Sequence, residues 1–218
     1  PTSATAYFYR AQILGFQGET ERAIADYGQA IRLDPRNARV YGNLAMLYNA
    51  IGDYPKAVAD LNEAIKLRPR EAVFYLNRGV AHFGLRQYDK AITDYDEVLE
   101  LDSRVSAAFY NRCLSRAVLG QDLPRAIADC NAALQLQPND PYAHDNLGII
   151  YLKQADYAKA IAEFNASLKL DAKRARALYG RGLAKTRSAD AAGGGSDMGA
   201  ARTLQPGIAD EFAGYGVR

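Results

Sequence analysis

The 218-residue chain has no tryptophan, two cysteines, two histidines and two methionines. Two cysteines are too few for a disulfide framework. Two histidines, with no Cys, Asp or Glu at ligand spacing around them, exclude an ordinary metal site. No apolar run approaches the roughly 18 residues of a membrane span, and no signal peptide is visible. The chain begins at Pro1 without an initiator methionine, so it is expected to be processed or trimmed, and the lack of a leader does not locate it. Net charge is only +2, from 27 basic and 25 acidic residues. That balance argues against nucleic acid and against an anionic membrane surface as partners. Catalytic patterns are missing too. "AAGGGSD" has neither a preceding strand nor a following lysine, so it is not a phosphate loop, and nothing resembles a Ser-His-Asp or Cys-His arrangement. No enzyme and no cofactor are expected.

What is present is ordinary globular composition, 49% hydrophobic and 24% charged, arranged with a long period. "ERAIADYGQAIRLDP", "PKAVADLNEAIKLRP", "DKAITDYDEVLELDS", "PRAIADCNAALQLQP" and "AKAIAEFNASLKLDA" align on Ala23, Ala57, Ala91, Ala126 and Ala160. The step is 34 residues, once 35, and the extra residue falls in the turn "GQDLPRA", where an insertion does least harm. Apolar residues within each half-repeat follow helical spacing. Each helix is expected to run about 13 residues, or about 20 Å.

These residues resemble the tetratricopeptide repeat (TPR), a helix-turn-helix unit of 34 residues marked by aromatic, small and proline positions. The first large position holds Tyr7, Tyr41, Tyr75 and Phe109, with His144 and Leu178 as weaker fits. The small position holds Ala11, Ala45, Gly79, Cys113, Gly148 and Gly182. The later aromatic position holds Tyr27, Leu61, Tyr95, Cys130 and Phe164. Pro35, Pro69, Pro138 and Pro206 close units, whereas Ser103 and Ala172 stand where proline would.

The resemblance implies an all-α, right-handed superhelical solenoid, here one continuous array over 1–218. Five repeats span 4–37, 38–71, 72–105, 106–140 and 141–174. A sixth, 175–206, is degenerate, its hairpin interrupted by "ADAAGGGSD" as a flexible glycine-rich loop. Residues 207–218 form a capping helix, because an end repeat exposes an apolar face. The sequence style is similar to bacterial TPR proteins, cytoplasmic or exported to the periplasm.

Rotating about 100° per residue along each first helix separates a packed face, with Tyr75 and Gly79, from an opposite face with Val73, Asn77, Val80 and Gly84. In a TPR superhelix the second face lines the concave groove. One row there reads Asn43, Asn77, Asn111 and Asn146, flanked by Tyr9 and Gly180. The next reads Met46, Val80, Leu114, Ile149 and Leu183. Tyr110 lies near the wall, and Lys153, Arg176 and Arg187 form a basic far end able to receive an acidic segment. An asparagine offers donor and acceptor together. A ladder of them can hold the backbone of an extended peptide while the apolar row selects side chains. The alternatives are amides bonded to neighbouring helix backbone and aliphatics packed between first helices. The candidate groove is Tyr9, Asn43, Met46, Asn77, Val80, Tyr110, Asn111, Leu114, Asn146, Ile149 and Lys153. A chaperone-type carboxylate clamp is not expected, since Phe8, Gly42, Asn43, Val73 and Asn77 supply the asparagine without the basic residues.

Arg10, Arg78, Arg112 and Arg181 share a position held by Leu44 and Leu147 elsewhere. Each second helix carries an acid: Asp26, Asp60, Asp94, Asp129 or Glu163. Inter-helix ion pairs follow, such as Arg78 with Asp94 or Asp60. His82 and His144 are read as packing residues. Cys113 and Cys130 lie at similar heights in one hairpin. A disulfide is conceivable there, but two buried free thiols are expected. The function implied is a non-enzymatic adaptor gripping a partner's extended peptide or short helix. The second reading is a homo-oligomer assembled through end repeats or groove.

Overall fold

The computed structural model describes residues 2–120 and 122–217. Those residues form thirteen α-helices and no strand. They fall into two compact units, residues 1–103 and 104–218.

The first unit holds three antiparallel pairs. These are α1 (Ala4–Phe16) with α2 (Thr20–Leu33), α3 (Ala38–Ala50) with α4 (Tyr54–Leu67), and α5 (Ala72–Gly84) with α6 (Tyr88–Leu101). The second holds α7 (Ser106–Leu119) with α8 (Leu123–Leu136), α9 (Pro141–Lys153) with α10 (Tyr157–Leu170), α11 (Ala175–Arg187) with α12 (Ala191–Leu204), and the short α13 (Ile208–Gly214).

Each second helix stops at one residue with φ near −140°: Asp34, Arg68, Asp102, Gln137, Asp171 and Gln205. Four of these precede proline, which disfavours helical backbone in the residue before it. Asp102 and Asp171 break the same way before Ser103 and Ala172, so proline is not needed for the stop. Inside the hairpins Gly18 and Gly52 take positive φ, and Arg86, Ala155 and Ala189 take it without glycine's freedom.

The small positions let the helices close. A Cβ on Gly79 would lie 2.5 Å from the Tyr95 ring, and one on Gly148 would lie 2.7 Å from Phe164. Ala11, Tyr27, Ala30, Val40 and Leu44 form one buried cluster of the first unit. Cys113, Ala117, Ala126, Cys130, Leu147 and Ile150 form one in the second.

Two expectations are corrected. Cys113 and Cys130 are bonded to each other, with Cα atoms 5.5 Å apart. The small and aromatic positions of one hairpin face each other, so cysteine at both brings the sulfurs into contact and replaces the missing ring. Likewise, "ADAAGGGSD" is no flexible loop. Residues 191–204 are helical, capped by the Asp190 carboxylate accepting from Gly193 N at 2.9 Å. Its glycines permit close approach. A Cβ on Gly194 would stand 2.1 Å from Thr186 Oγ1 and 2.6 Å from the Gly182 carbonyl. The sixth repeat is therefore a complete helical pair.

Candidate interaction faces

The arginine-acid pairs are made within hairpins. Arg10 bonds Asp26 at 2.5 and 2.7 Å. Arg78 bonds Asp94 at 2.6 Å and also donates to Asn62 Oδ1 at 2.7 Å. Arg112 and Arg116 both reach Asp129 at 2.6 Å, and Arg181 reaches Asp197 at 2.6 Å. Where leucine replaces the arginine, the acids differ. Glu163 meets His144 at 2.7 Å. Asp60 has a buried Oδ2 with no hydrogen-bond partner, and burial pushes its carboxyl up to about 6. His82 is buried, with Nδ1 2.9 Å from Gln87 Oε1. Among the described residues no group of three His, Cys, Asp or Glu side chains could hold a metal.

The rows on the first helices divide by unit. In the first unit they are open. Tyr9 is 58% exposed, Met46 51%, Val73 47% and Val80 37%, while Asn43 and Asn77 are half-buried. A cavity of about 430 Å³ beside them is lined by Gln12, Phe16, Tyr27, Asn43, Met46 and Leu47. An adjoining cleft of about 370 Å³ reaches Phe8, Tyr9, Val73 and Phe74.

In the second unit the same rows are largely closed. Leu114, Asn146 and Ile149 are buried, Tyr110 and Asn111 are half-buried, and Lys153 is part-buried. The expectation of exposed groove residues is corrected for Leu114, Asn146 and Ile149. Asn146 Nδ2 donates to the Tyr110 carbonyl at 2.8 Å, the bond to neighbouring backbone that was the alternative for this row. Asn49, outside the predicted row, does the same to the Asn77 carbonyl at 2.9 Å. Lys153 Nζ donates to the Ala117 carbonyl and, at 3.0 Å, to the Tyr215 carbonyl. Arg176 is also engaged, donating to Glu211 at 2.6 Å and to the Tyr215 hydroxyl at 2.8 Å. The basic far end is therefore covered at these two residues by the chain's own C-terminal segment.

The tetratricopeptide-repeat family matches residues 8–72, 72–104 and 141–174, together more than half of the chain. The chain belongs to the tetratricopeptide repeat family. TPR folds are generally non-catalytic, and membership suggests a protein-interaction scaffold. No curated protein sequence is a significant match. Among solved structures, the TPR chain is similar to PilW, described as a type IV pilus biogenesis factor. The TM-score is 0.82 and identity 18%, over 94% of this chain and 95% of that one. It is similar to Pseudomonas aeruginosa pilF, with TM-score 0.74 and 20% identity over 96% of both chains. It is also similar to YrrB, described as a TPR protein with an unusual peptide-binding site. There the TM-score is 0.57 and identity 22%, over 83% of this chain and 92% of that one. At these identities the likeness is one of fold. No helix among the described residues is long and apolar enough to cross a membrane.

Proposed function

We propose that this TPR protein is an adaptor whose first unit binds an extended peptide or short helix of a partner protein along α1, α3 and α5. The observation that carries the reading is the exposure of Tyr9, Met46, Val73 and Val80 beside the half-buried amides of Asn43 and Asn77. Surfaces that leave contiguous apolar side chains in water mark interaction sites. The amides give such a surface a way to satisfy a peptide backbone that becomes buried on it, each bond contributing about 0.5–1.5 kcal/mol. In this reading Asn43 and Asn77 hold the backbone, and Met46 and Val80 contact side chains. Affinity capture from a native lysate, read by mass spectrometry, compares wild type with Asn43→Ala/Asn77→Ala of unchanged helicity. A partner held by wild type and released by the variant supports the reading. Equal capture by both removes these amides from the site.

A second reading is self-assembly, favoured by the apolar strip of α1, where Ile13 is 56% and Phe16 93% exposed. Light scattering over a concentration series separates the two. A monomer at every concentration rejects self-assembly. A dimer that Phe16→Ser disperses supports it.

A further inference from the structure

The short helix α13 does more than close the end of α12. Its Phe212 ring packs on Tyr179 of α11 with centroids 5.0 Å apart, and Phe212 is fully buried. Its Glu211 carboxylate accepts from Arg176 at 2.6 and 2.8 Å, near the start of α11. The Tyr215 hydroxyl donates to Glu211 at 2.6 Å and accepts from Arg176. The Tyr215 carbonyl then reaches Lys153 at the end of α9, and the same ammonium holds Ala117 of α7. Three successive first helices thus contribute to one seat. Ile208, Phe212, Tyr215 and Val217 are its buried apolar contacts.

A seven-residue helix has little stability by itself. This one has no side-chain cap at its N-terminus and follows the turn Gln205-Pro206-Gly207, from which Gln205 Nε2 donates to Glu211 at 2.7 Å. Its order comes from the seat. The seat is aromatic and basic where the tail is aromatic and acidic, so its chemistry can be read from the occupant.

We propose that the face of α9 and α11 in the second unit is a receptor for a partner's short helix carrying Glu-Phe-x-x-Tyr or its chemical equivalent, and that α13 is a resident pseudo-ligand which such a helix displaces. Arg176 and Lys153 take the partner's carboxylate and terminal carbonyl, and Tyr179 takes its aromatic ring. This does not depend on the reading given for the first unit.

The test uses the full chain and a fluorescent peptide of residues 205–217. Phe212→Ala/Glu211→Lys releases the resident tail, and circular dichroism checks that helicity is retained. The labelled peptide is expected to bind this variant at least tenfold more tightly than wild type. Adding Arg176→Glu is expected to abolish that binding. Equal binding to wild type and variant, or none to a well-folded variant, overturns the proposal. Hydrogen exchange on the wild-type chain gives a check that needs no variant. Amides of 212–217 are expected to open well before those of α9 and α11, and opening only together with α11 overturns it. A dimer formed by tail exchange, growing with concentration, would make a second copy the occupant and also overturn it.

Discussion

Leu44 stands sixteen residues before Asp60, in the register that places Arg10 before Asp26 and Arg78 before Asp94. Asp60 is thereby left with a buried, unpartnered Oδ2. Burial without a cation pushes its carboxyl up to about 6 from an ordinary value of 3.8. The folded chain therefore binds this proton more tightly than the unfolded chain does. Between pH 4 and 6 the contribution of Asp60 becomes steadily less favourable as pH rises, and above 6 the full penalty is present. Asp60→Asn is expected to raise stability at pH 7 by roughly 1–3 kcal/mol. It should do little at pH 3.5. Urea melts of both proteins at the two pH values check this, and a gain that is equal at both would remove titration as its cause.

Arg78 and Asp94 make the opposite case. Asp94 is 3% exposed, and Arg78 holds it while also donating to Asn62. Arg78→Met leaves the buried carboxylate with only His82 Nε2, 3.8 Å away, and is expected to cost about 3–5 kcal/mol. Arg78→Met/Asp94→Leu removes both charges and should cost distinctly less. Denaturant melts of the two singles and the double decide it, and simple additivity would mean that the two side chains do not interact.

The glycine run of α12 yields a paired test. A Cβ at Gly194 collides with Thr186 and the Gly182 carbonyl, whereas one at Gly195 meets nothing within 4 Å. Gly194→Ala is expected to destabilise the α11–α12 pair by about 1–3 kcal/mol through overpacking. Gly195→Ala should stabilise by about 0.5–1 kcal/mol, the ordinary gain for glycine replaced inside a helix. Thermal melts of the two variants should move in opposite directions. A flexible loop would give two small changes of the same kind.

That run also shows where the sequence misleads. The 34-residue step from Ala160 lands on Gly194, and the same step from Glu163 lands on Asp197, the partner of Arg181. Register puts a small residue and an acid in their usual helical places, whereas the expectation of a flexible loop followed glycine content alone. Register was the better guide because close packing against α11 favours glycine and fixes its backbone. The helical pairs and Arg-acid ladder were legible because each copy repeats the same spacing. The closure of Leu114, Asn146 and Ile149 was not, since a helical wheel records which way a side chain points and not what comes to cover it. Neighbouring helices α7 and α11 pack on α9 there, and residues 208–217, which meet Lys153 and Arg176, lie outside the repeat with no second copy to compare.

The disulfide between Cys113 and Cys130 ties α7 to α8 across 17 residues of sequence. A loop of that size restricts the unfolded chain by about 3 kcal/mol in the chain-entropy account. Both cysteines are fully buried, so a reductant reaches the bond only through local or global opening. Native protein should therefore resist dithiothreitol for far longer than protein in urea. Once reduced, it should melt lower by about 6–12 °C, at about 2–4 °C per kcal/mol for a chain of this length. Cys113→Ala/Cys130→Ala should melt at least as low as the reduced chain, because it also loses sulfur packing beside Leu147 and Ile150. Thiol titration under native conditions is the direct check. Two thiols that react in the untreated, denatured protein would show that the hairpin is held by packing alone.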